Sequence, residues 1–170
     1  MLKDSRIKAV SFVGSTPIAK HVYDTSSQNS KRCQALGGAK NHALVLPDAN
    51  IKQTVNQLLG AAFGSSGQRC MALSVAVTVG GVEDKLIKEL KLAMKNFKVG
   101  TSDHKGNDFG PLISKDHKEK VINLINSAEN DGAKIIVDGR NFVSEEQKFD
   151  NGYFLGATLI NGVNTTMKSY

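Results

Sequence analysis

A single cysteine in a glycine-rich loop carries the strongest chemical signal in this sequence. Cys70 stands in the run FGSSGQRCMA, residues 63–72, and Arg69 precedes it immediately. Gly64 and Gly67 allow backbone conformations that would strain a residue with a Cβ, and a neighbouring cation favours the thiolate, the reactive form of cysteine. The run therefore predicts a nucleophilic thiol and not a structural cysteine.

The second cysteine and the histidines carry weaker signals. Cys33 falls in a strand-like run and is expected to be an inert, small apolar residue. Four charged residues within the first eight leave no apolar signal segment, which predicts a reducing compartment and therefore no Cys33–Cys70 disulfide. The four histidines show neither C-x-x-C nor H-E-x-x-H spacing, so no metal site is predicted.

Charge and hydropathy favour a small-molecule ligand over nucleic acid or a membrane. The 170 residues carry a formal net charge of +6, which alone would admit a polyanionic partner. Basic residues nevertheless alternate with acidic ones in residues 83–91 and 115–120, as on solvated helix faces, and no nucleic-acid-binding module is recognisable. A membrane-spanning helix would need about 18 consecutive apolar residues, and the sequence has no such run.

The chain begins with a strand, a glycine turn and a helix start. Residues 7–13 are rich in β-branched and aromatic side chains, which predicts a buried strand. A helix over residues 16–28 should follow, with Ser15 or Thr16 as its cap and Pro17 at its first position. Backbone N–H groups at such a helix start attract phosphate or another anion.

The rest of the sequence alternates strand patterns with helix patterns. Asn50 and Ser114 are suitable caps for two of the helices. This alternation predicts an α/β architecture with substantial parallel pairing. The predicted elements are strands over 32–36, 43–46, 73–79, 134–137 and 153–160, helices over 51–63, 83–97 and 115–130, and a polar loop over 138–152.

Three motifs resemble the aldehyde dehydrogenase superfamily, and the resemblance covers nearly all of the chain. They are FVGST (residues 12–16), QALGGAKNH (residues 34–42) and the cysteine run. Within the superfamily, the segments ALGGAKNHALVLPDAN and GAAFGSSGQRCMALS are most similar to the acylating, coenzyme A-dependent branch. The resemblance implies an aldehyde dehydrogenase-like α/β fold. Residues 1–35 would be the end of a Rossmann-type NAD-binding domain and residues 36–170 a truncated catalytic domain.

The resemblance also implies how the cysteine reacts. Cys70 would attack the aldehyde carbon, hydride would pass to NAD, and the resulting thioester would transfer its acyl group to coenzyme A. The backbone N–H of Cys70 could donate to the oxyanion. Arg69 would bind the carboxylate of malonate or methylmalonate semialdehyde, for which a guanidinium fork is suited, although a simple surface charge is the alternative.

The cofactor residues implied by the resemblance lie before the cysteine. Ser15 would contact the pyrophosphate of NAD, with Gly14 and Ile18 beside it, although the same residues could form an ordinary helix cap. Leu36 falls where hydrolytic aldehyde dehydrogenases place a water-activating glutamate, and leucine cannot act as a base. Gly37 would lie near the nicotinamide.

Two further motifs are expected to be structural. His42 invites assignment as a base, but a histidine that enters a strand is more often hydrogen-bonded within the fold. The turn over residues 108–112 resembles an architectural turn of the superfamily.

The implied parent is a homo-oligomer, a dimer or tetramer, in valine or inositol breakdown. Its expected location is the bacterial cytoplasm, or the mitochondrial matrix in a eukaryote. The alternatives are a hydrolytic semialdehyde dehydrogenase and a truncated, non-catalytic piece. We expect the 170 residues alone to show little NAD-dependent turnover, because they lack the family's upstream βαβ units and its downstream EIFGP-type segment.

Overall fold

The structure is a computed structural model that describes residues 1–143 and 151–170. Helices and strands alternate along the described chain, as predicted. The elements are β1 (Ala9–Val13), α1 (Thr16–Gln28), β2 (Arg32–Leu36), β3 (Asn41–Val45), α2 (Ile51–Phe63), a 3-10 turn (Gly64–Gly67), β4 (Leu73–Thr78), α3 (Glu83–Met94), α4 (Lys115–Asn130), β5 (Lys134–Val137) and β6 (Leu159–Asn161).

The chain divides into two compact units, residues 1–40 and 41–170. In the first unit, β1 and β2 pair in parallel from Ala9↔Arg32 to Val13↔Leu36, and α1 packs against them. The prediction of a buried strand over 7–13 is wrong: alternate residues of β1 are exposed, and Val13 is 65% exposed. The reason is that a helix on one face of a two-stranded sheet shields only that face.

Helix α1 begins at the predicted residue but without the predicted side-chain cap. Ser15 occupies the N-cap position in extended conformation and makes no capping bond, and Pro17 is the second helical residue and not the first. The hydroxyl of Thr16 instead accepts a hydrogen bond from the Gly38 N–H at 2.9 Å. Thr16 therefore joins the start of α1 to the turn that follows β2.

Among its described residues, the second unit is built on two strand pairs and three α-helices. β3 and β4 are parallel, whereas β5 and β6 are antiparallel. Helices α2 and α3 pack together, and their buried residues form one core cluster with Val45 of β3. The predicted caps are confirmed, because Asn50 Oδ1 accepts from the Gln53 N–H and Ser114 Oγ from the His117 N–H.

Several predicted boundaries in the second unit need correction. Helix α3 ends at Met94 and not at residue 97, because a tighter turn follows in which the Phe97 N–H bonds to the Met94 carbonyl. The last strand spans only Leu159–Asn161, and Val77 of β4 is 39% exposed, since β4 pairs only with β3 among the described residues. Residues 144–150 of the predicted polar loop lie outside the described residues.

The C-terminal end of α2 is held by an arginine that follows it. Arg69 Nη2 donates to the carbonyl oxygens of Gly60 at 2.7 Å and Ala61 at 3.3 Å. These carbonyls belong to the last turn of the helix, where a cation is favourable. A Cβ on Gly64 would lie 2.4 Å from Arg69 Nη2, so glycine at 64 leaves the space that the guanidinium occupies.

Two glycine-to-alanine substitutions should therefore have opposite effects on stability. Gly60→Ala is expected to raise the free energy of unfolding by about 0.5–1 kcal/mol, because alanine favours helix and a Cβ at 60 meets no atom within 4 Å. Gly64→Ala should displace the Arg69 guanidinium and lower stability by about 1 kcal/mol. Urea unfolding measures both, and a Gly64→Ala variant as stable as Gly60→Ala would contradict the role assigned to Arg69.

Candidate active site

Cys70 is exposed on the loop between α2 and β4, residues 64–72, here called the cysteine loop. The Ala72 N–H donates to the Arg69 carbonyl at 3.1 Å, which places Cys70 within a tight turn just before β4. The structure thus presents the predicted nucleophile at the surface. Cys33, also a free thiol, is partly buried with its Sγ 4.0 Å from the Val22 carbonyl of α1.

The cysteine loop contains two non-glycine residues in left-handed conformation. Ser65 has φ 53° and Ser66 has φ 55°, and Gly67 follows with φ 70°. This conformation costs an L-residue with a Cβ about 1–2 kcal/mol. Gly67 therefore adopts a conformation that glycine was predicted to allow. Ser65 and Ser66 adopt the same conformation with strain, and such strain persists only where surrounding contacts enforce it.

Hydrogen bonds to a distant segment enforce this conformation from one side. The Ser66 hydroxyl donates to the Gly110 carbonyl at 2.6 Å, and Gln68 Oε1 accepts from the Ile113 N–H at 3.0 Å. Segment 110–113 overlaps the turn that the sequence predicts to be architectural. An open groove of about 500 Å³ lies between the two segments, lined by Ser65, Ser66, Gln68, Gly110, Pro111 and Ile113.

Three phenylalanine rings anchor the start of the loop. Phe63, the last residue of α2, lies with its ring centroid 5.5 Å from that of Phe97 and 6.0 Å from that of Phe109, and the latter two are 5.8 Å apart. Edge-to-face and offset aromatic pairs of this kind are favourable. The rings therefore link α2, the end of α3 and the start of segment 108–112.

Asn41 holds the opposite end of the cysteine loop. Its side-chain Nδ2 donates to the carbonyl oxygens of Cys70 at 2.8 Å and of Ala72 at 2.9 Å. Asn41, Ser66 and Gln68 were not predicted to fix the loop. Asn41 stands in the KNH motif as the first residue of β3, which was a usable signal, whereas nothing in the sequence indicates the long-range partners of Ser66 and Gln68.

His42 bonds within the fold, as the structural alternative expected. Its Nε2 lies 2.6 Å from the hydroxyl of Tyr170, and the two rings are 5.7 Å apart and tilted. Arg69, the predicted substrate-binding residue, directs Nη2 to the end of α2. Its guanidinium carries further N–H groups, on Nε and Nη1, that these two bonds do not use.

The predicted cofactor residues converge within the first unit. The Gly14 N–H donates to the Leu36 carbonyl at 3.1 Å, so that the carboxyl ends of β1 and β2 lie side by side. A Cβ on Gly37 would lie 2.9 Å from Thr16 Oγ1, so glycine permits this close approach. Ser15, Leu36 (50% exposed) and Ile18 (49% exposed) present accessible side chains near this edge. Cys70 and Arg69 belong to the second unit.

Within residues 1–143 and 151–170, no group of three or more His, Cys, Asp or Glu side chains could hold a metal ion. No helix in the same residues is long and apolar enough to cross a membrane.

Comparison with known proteins gives consistent results along the whole chain. A malonate-semialdehyde dehydrogenase of Bacillus cytotoxicus is 49% identical over 168 residues, which is 99% of this chain and 34% of that protein. The crystal structure of methylmalonate-semialdehyde dehydrogenase from Oceanimonas doudoroffii matches with 60% identity and a TM-score of 0.93, again over 99% of this chain and 34% of that one.

A third relative was solved with a cofactor. A protein of Sinorhizobium meliloti 1021, described as a methylmalonate-semialdehyde dehydrogenase and complexed with NAD, is 44% identical with a TM-score of 0.94, over 99% of this chain and 34% of that one. The chain therefore spans about a third of the length of these relatives. The model of the aldehyde dehydrogenase family matches residues 1–170. The chain belongs to the aldehyde dehydrogenase family.

Proposed function

We propose that this chain supplies the nucleophile and part of the cofactor contacts of an NAD- and coenzyme A-dependent semialdehyde dehydrogenase. The observation that carries the proposal is an exposed thiol on a strained loop that hydrogen bonds fix from both sides. Strain enforced by surrounding contacts is typical of functional sites. The relatives named malonate- and methylmalonate-semialdehyde dehydrogenase supply the reaction class.

Cys70 is proposed to carry the acyl group. Its Sγ attacks the aldehyde carbon and forms a C–S bond, and the carbonyl oxygen becomes an oxyanion to which the Cys70 backbone N–H can donate. Bound NAD would accept the hydride that leaves this carbon. The oxidised chain then remains on Cys70 as a thioester, its carboxylate leaves as CO₂, and a proton from water replaces it at the adjacent carbon to give the propionyl or acetyl group. Attack by the thiol of coenzyme A breaks the bond to Sγ and returns Cys70 as the thiolate.

The first unit fits the pyrophosphate of NAD. Helix α1 follows directly on the carboxyl end of β1, where ligands of parallel sheets bind, and its first N–H groups have no partner within the helix. The Ser15 hydroxyl makes no bond to its own helix and is exposed. We therefore assign the phosphate contact to Ser15, with Gly14 and Ile18 beside it, and place Gly37 toward the nicotinamide. The neighbour solved with NAD supports this assignment.

Leu36 is proposed to direct the thioester toward coenzyme A. It stands at the end of β2, half exposed, where hydrolytic members of the family carry a glutamate. An aliphatic side chain cannot accept a proton from water, so hydrolysis of the thioester loses its general base. A thiol, which attacks a thioester without such help more readily than water does, can then take the acyl group.

Arg69 is proposed to bind the carboxylate of the substrate. Two of its N–H···O contacts hold the end of α2, and both use Nη2. Nη1, which carries two N–H groups, can still donate to a carboxylate oxygen, which favours a semialdehyde that carries a carboxylate, such as malonate or methylmalonate semialdehyde. Methylmalonate semialdehyde, NAD⁺ and coenzyme A would give propionyl-CoA, CO₂ and NADH, and malonate semialdehyde would give acetyl-CoA.

The wider setting of this reaction is part of the same proposal. Breakdown of valine or of inositol would supply such semialdehydes, and the cytoplasm of a bacterium is the compartment that the bacterial relatives favour. A homo-oligomeric parent is proposed from the family resemblance.

Substitution of Leu36 tests the acylating assignment against the hydrolytic one. The experiment uses a hybrid in which residues 1–170 replace the matching third of the Oceanimonas protein, with the 170-residue chain alone in parallel. The hybrid should release acyl-CoA and almost no free acid. Leu36→Glu should speed release of free acid without coenzyme A by at least ~10-fold, because a carboxylate can activate water.

Leu36→Gln is the matched control, since glutamine has the size of glutamate without its basicity. It should leave the release of free acid unchanged. Chromatography of the products measures both species. Free acid formed by the unsubstituted hybrid as fast as acyl-CoA would contradict the proposal and favour a hydrolytic semialdehyde dehydrogenase.

A charge-conserving substitution tests the role of Arg69. In the hybrid, Arg69→Lys should raise KM for malonate semialdehyde about 10-fold, because the single ammonium group of lysine cannot hold the α2 carbonyls and bind a carboxylate from separate nitrogens, as a guanidinium can. KM for propanal, which has no carboxylate, should not change. Steady-state NADH formation measures both values. An equal rise in KM for both aldehydes would show that Arg69 acts only by holding the end of α2.

A further inference from the structure

Asn41 occupies an irregular position at the start of a strand pair. Asn41 pairs with Leu73, but its neighbour His42 pairs with Val75, so the register of β3 and β4 shifts between them. Ser74 is the extra residue of the shift. The irregularity puts the half-buried Asn41 side chain opposite the end of the cysteine loop and not opposite a regular strand residue.

Both bonds from Asn41 fall on the turn that contains Cys70. Nδ2 donates to the carbonyls of Cys70 at 2.8 Å and Ala72 at 2.9 Å, and the Ala72 N–H closes the turn to Arg69. The amide group has two N–H donors, so each carbonyl can receive one. The carbonyl position of Cys70 sets its backbone ψ angle, and the orientation of that residue within the turn follows from it.

We propose that Asn41 is a positioning residue for Cys70: its side-chain amide fixes the carbonyl groups of Cys70 and Ala72 and thereby holds the Cys70 thiol in its reactive setting. The inference deepens the proposed function and rests on it. Nucleophiles tolerate misplacement of only about 0.5 Å before catalysis suffers. A loop that is strained at Ser65 and Ser66 needs a partner at its far end as well.

The alternative is that Asn41 merely stabilises the β3–β4 pair. A matched control separates the two, because Asn50 is another asparagine of the same unit whose side chain bonds only to the Gln53 N–H in the described contacts. Asn50→Ala removes a helix cap, a loss of about 1 kcal/mol, without touching the cysteine loop. Asn41→Ala should lower stability by a comparable amount but should also lower the reactivity of the Cys70 thiol.

The test measures alkylation of Cys70 by iodoacetamide in the 170-residue chain between pH 6 and 10. Cys33→Ser makes Cys70 the single cysteine. A synthetic peptide of residues 64–74 provides the unconstrained rate. We expect the parent to react at least ~5-fold faster than the peptide at pH 7, as activated thiols do. The alkylation rate of Asn41→Ala should fall to within about 2-fold of the rate of the peptide. Asn50→Ala should keep the alkylation rate of the parent and its dependence on pH.

Asn41→Asp separates loss of the hydrogen-bond donors from loss of the side chain itself, because it keeps the shape of the side chain but replaces its N–H donors with a carboxylate oxygen. It should behave like Asn41→Ala. Hydrogen exchange on the same samples locates the change: increased exchange confined to residues 69–73 supports positioning, and increased exchange spread through α2 and α3 overturns it.

The remaining outcomes are also decisive. Parent-like alkylation in both Asn41 variants would overturn the positioning role while leaving Cys70 an activated nucleophile. A parent rate equal to that of the peptide would count against the activated nucleophile and would leave Asn41 with nothing to position.

Discussion

The conformation of the cysteine loop depends on hydrogen bonds that its own residues cannot supply. Ser65 and Ser66 both adopt left-handed backbone angles, which a free chain would leave at once. Partners far along the chain prevent this: Gly110 accepts from Ser66, and Asn41 donates to the Cys70 end. The loop is therefore defined by the fold of the whole second unit.

This dependence explains why regions without reactive groups matter to the site. The three phenylalanine rings fix where α2 ends and where segment 108–112 begins, and Arg69 holds the last carbonyls of the helix. A change in any of these contacts reaches Cys70 through the backbone. Within the first unit, the paired ends of β1 and β2 bring Gly14 and Leu36 together beside the start of α1.

The predictions from sequence succeed where the determining contacts are local. Periodicity and caps give helix α2, helix α4 and most strands, because Asn50 and Ser114 act on residues three positions away. The fold class is confirmed through the family match. The predicted burial of Val13 was wrong, because the coverage of a sheet face depends on elements that periodicity does not specify.

The candidate site, too, could be predicted from the sequence only in part. Exposure of Cys70 and the internal bonding of His42 agree with expectation. The bonds of Ser66 to Gly110, Gln68 to Ile113 and Asn41 to Cys70 join residues 44, 45 and 29 positions apart, and sequence spacing gives no sign of such pairs. The bonds of Arg69 to the end of α2 were also unforeseen, since they depend on the space that Gly64 leaves.

If Cys70 carries the acyl group, the acylated enzyme can be trapped when coenzyme A is withheld. The hybrid is mixed with malonate semialdehyde and NAD without coenzyme A, quenched in acid and digested, and its peptides are analysed by mass spectrometry. We expect one burst of NADH per active site and an acyl group on the peptide that contains Cys70, with neither in Cys70→Ser. An NADH burst with Cys70 unmodified, or with the acyl group on another residue, would contradict it.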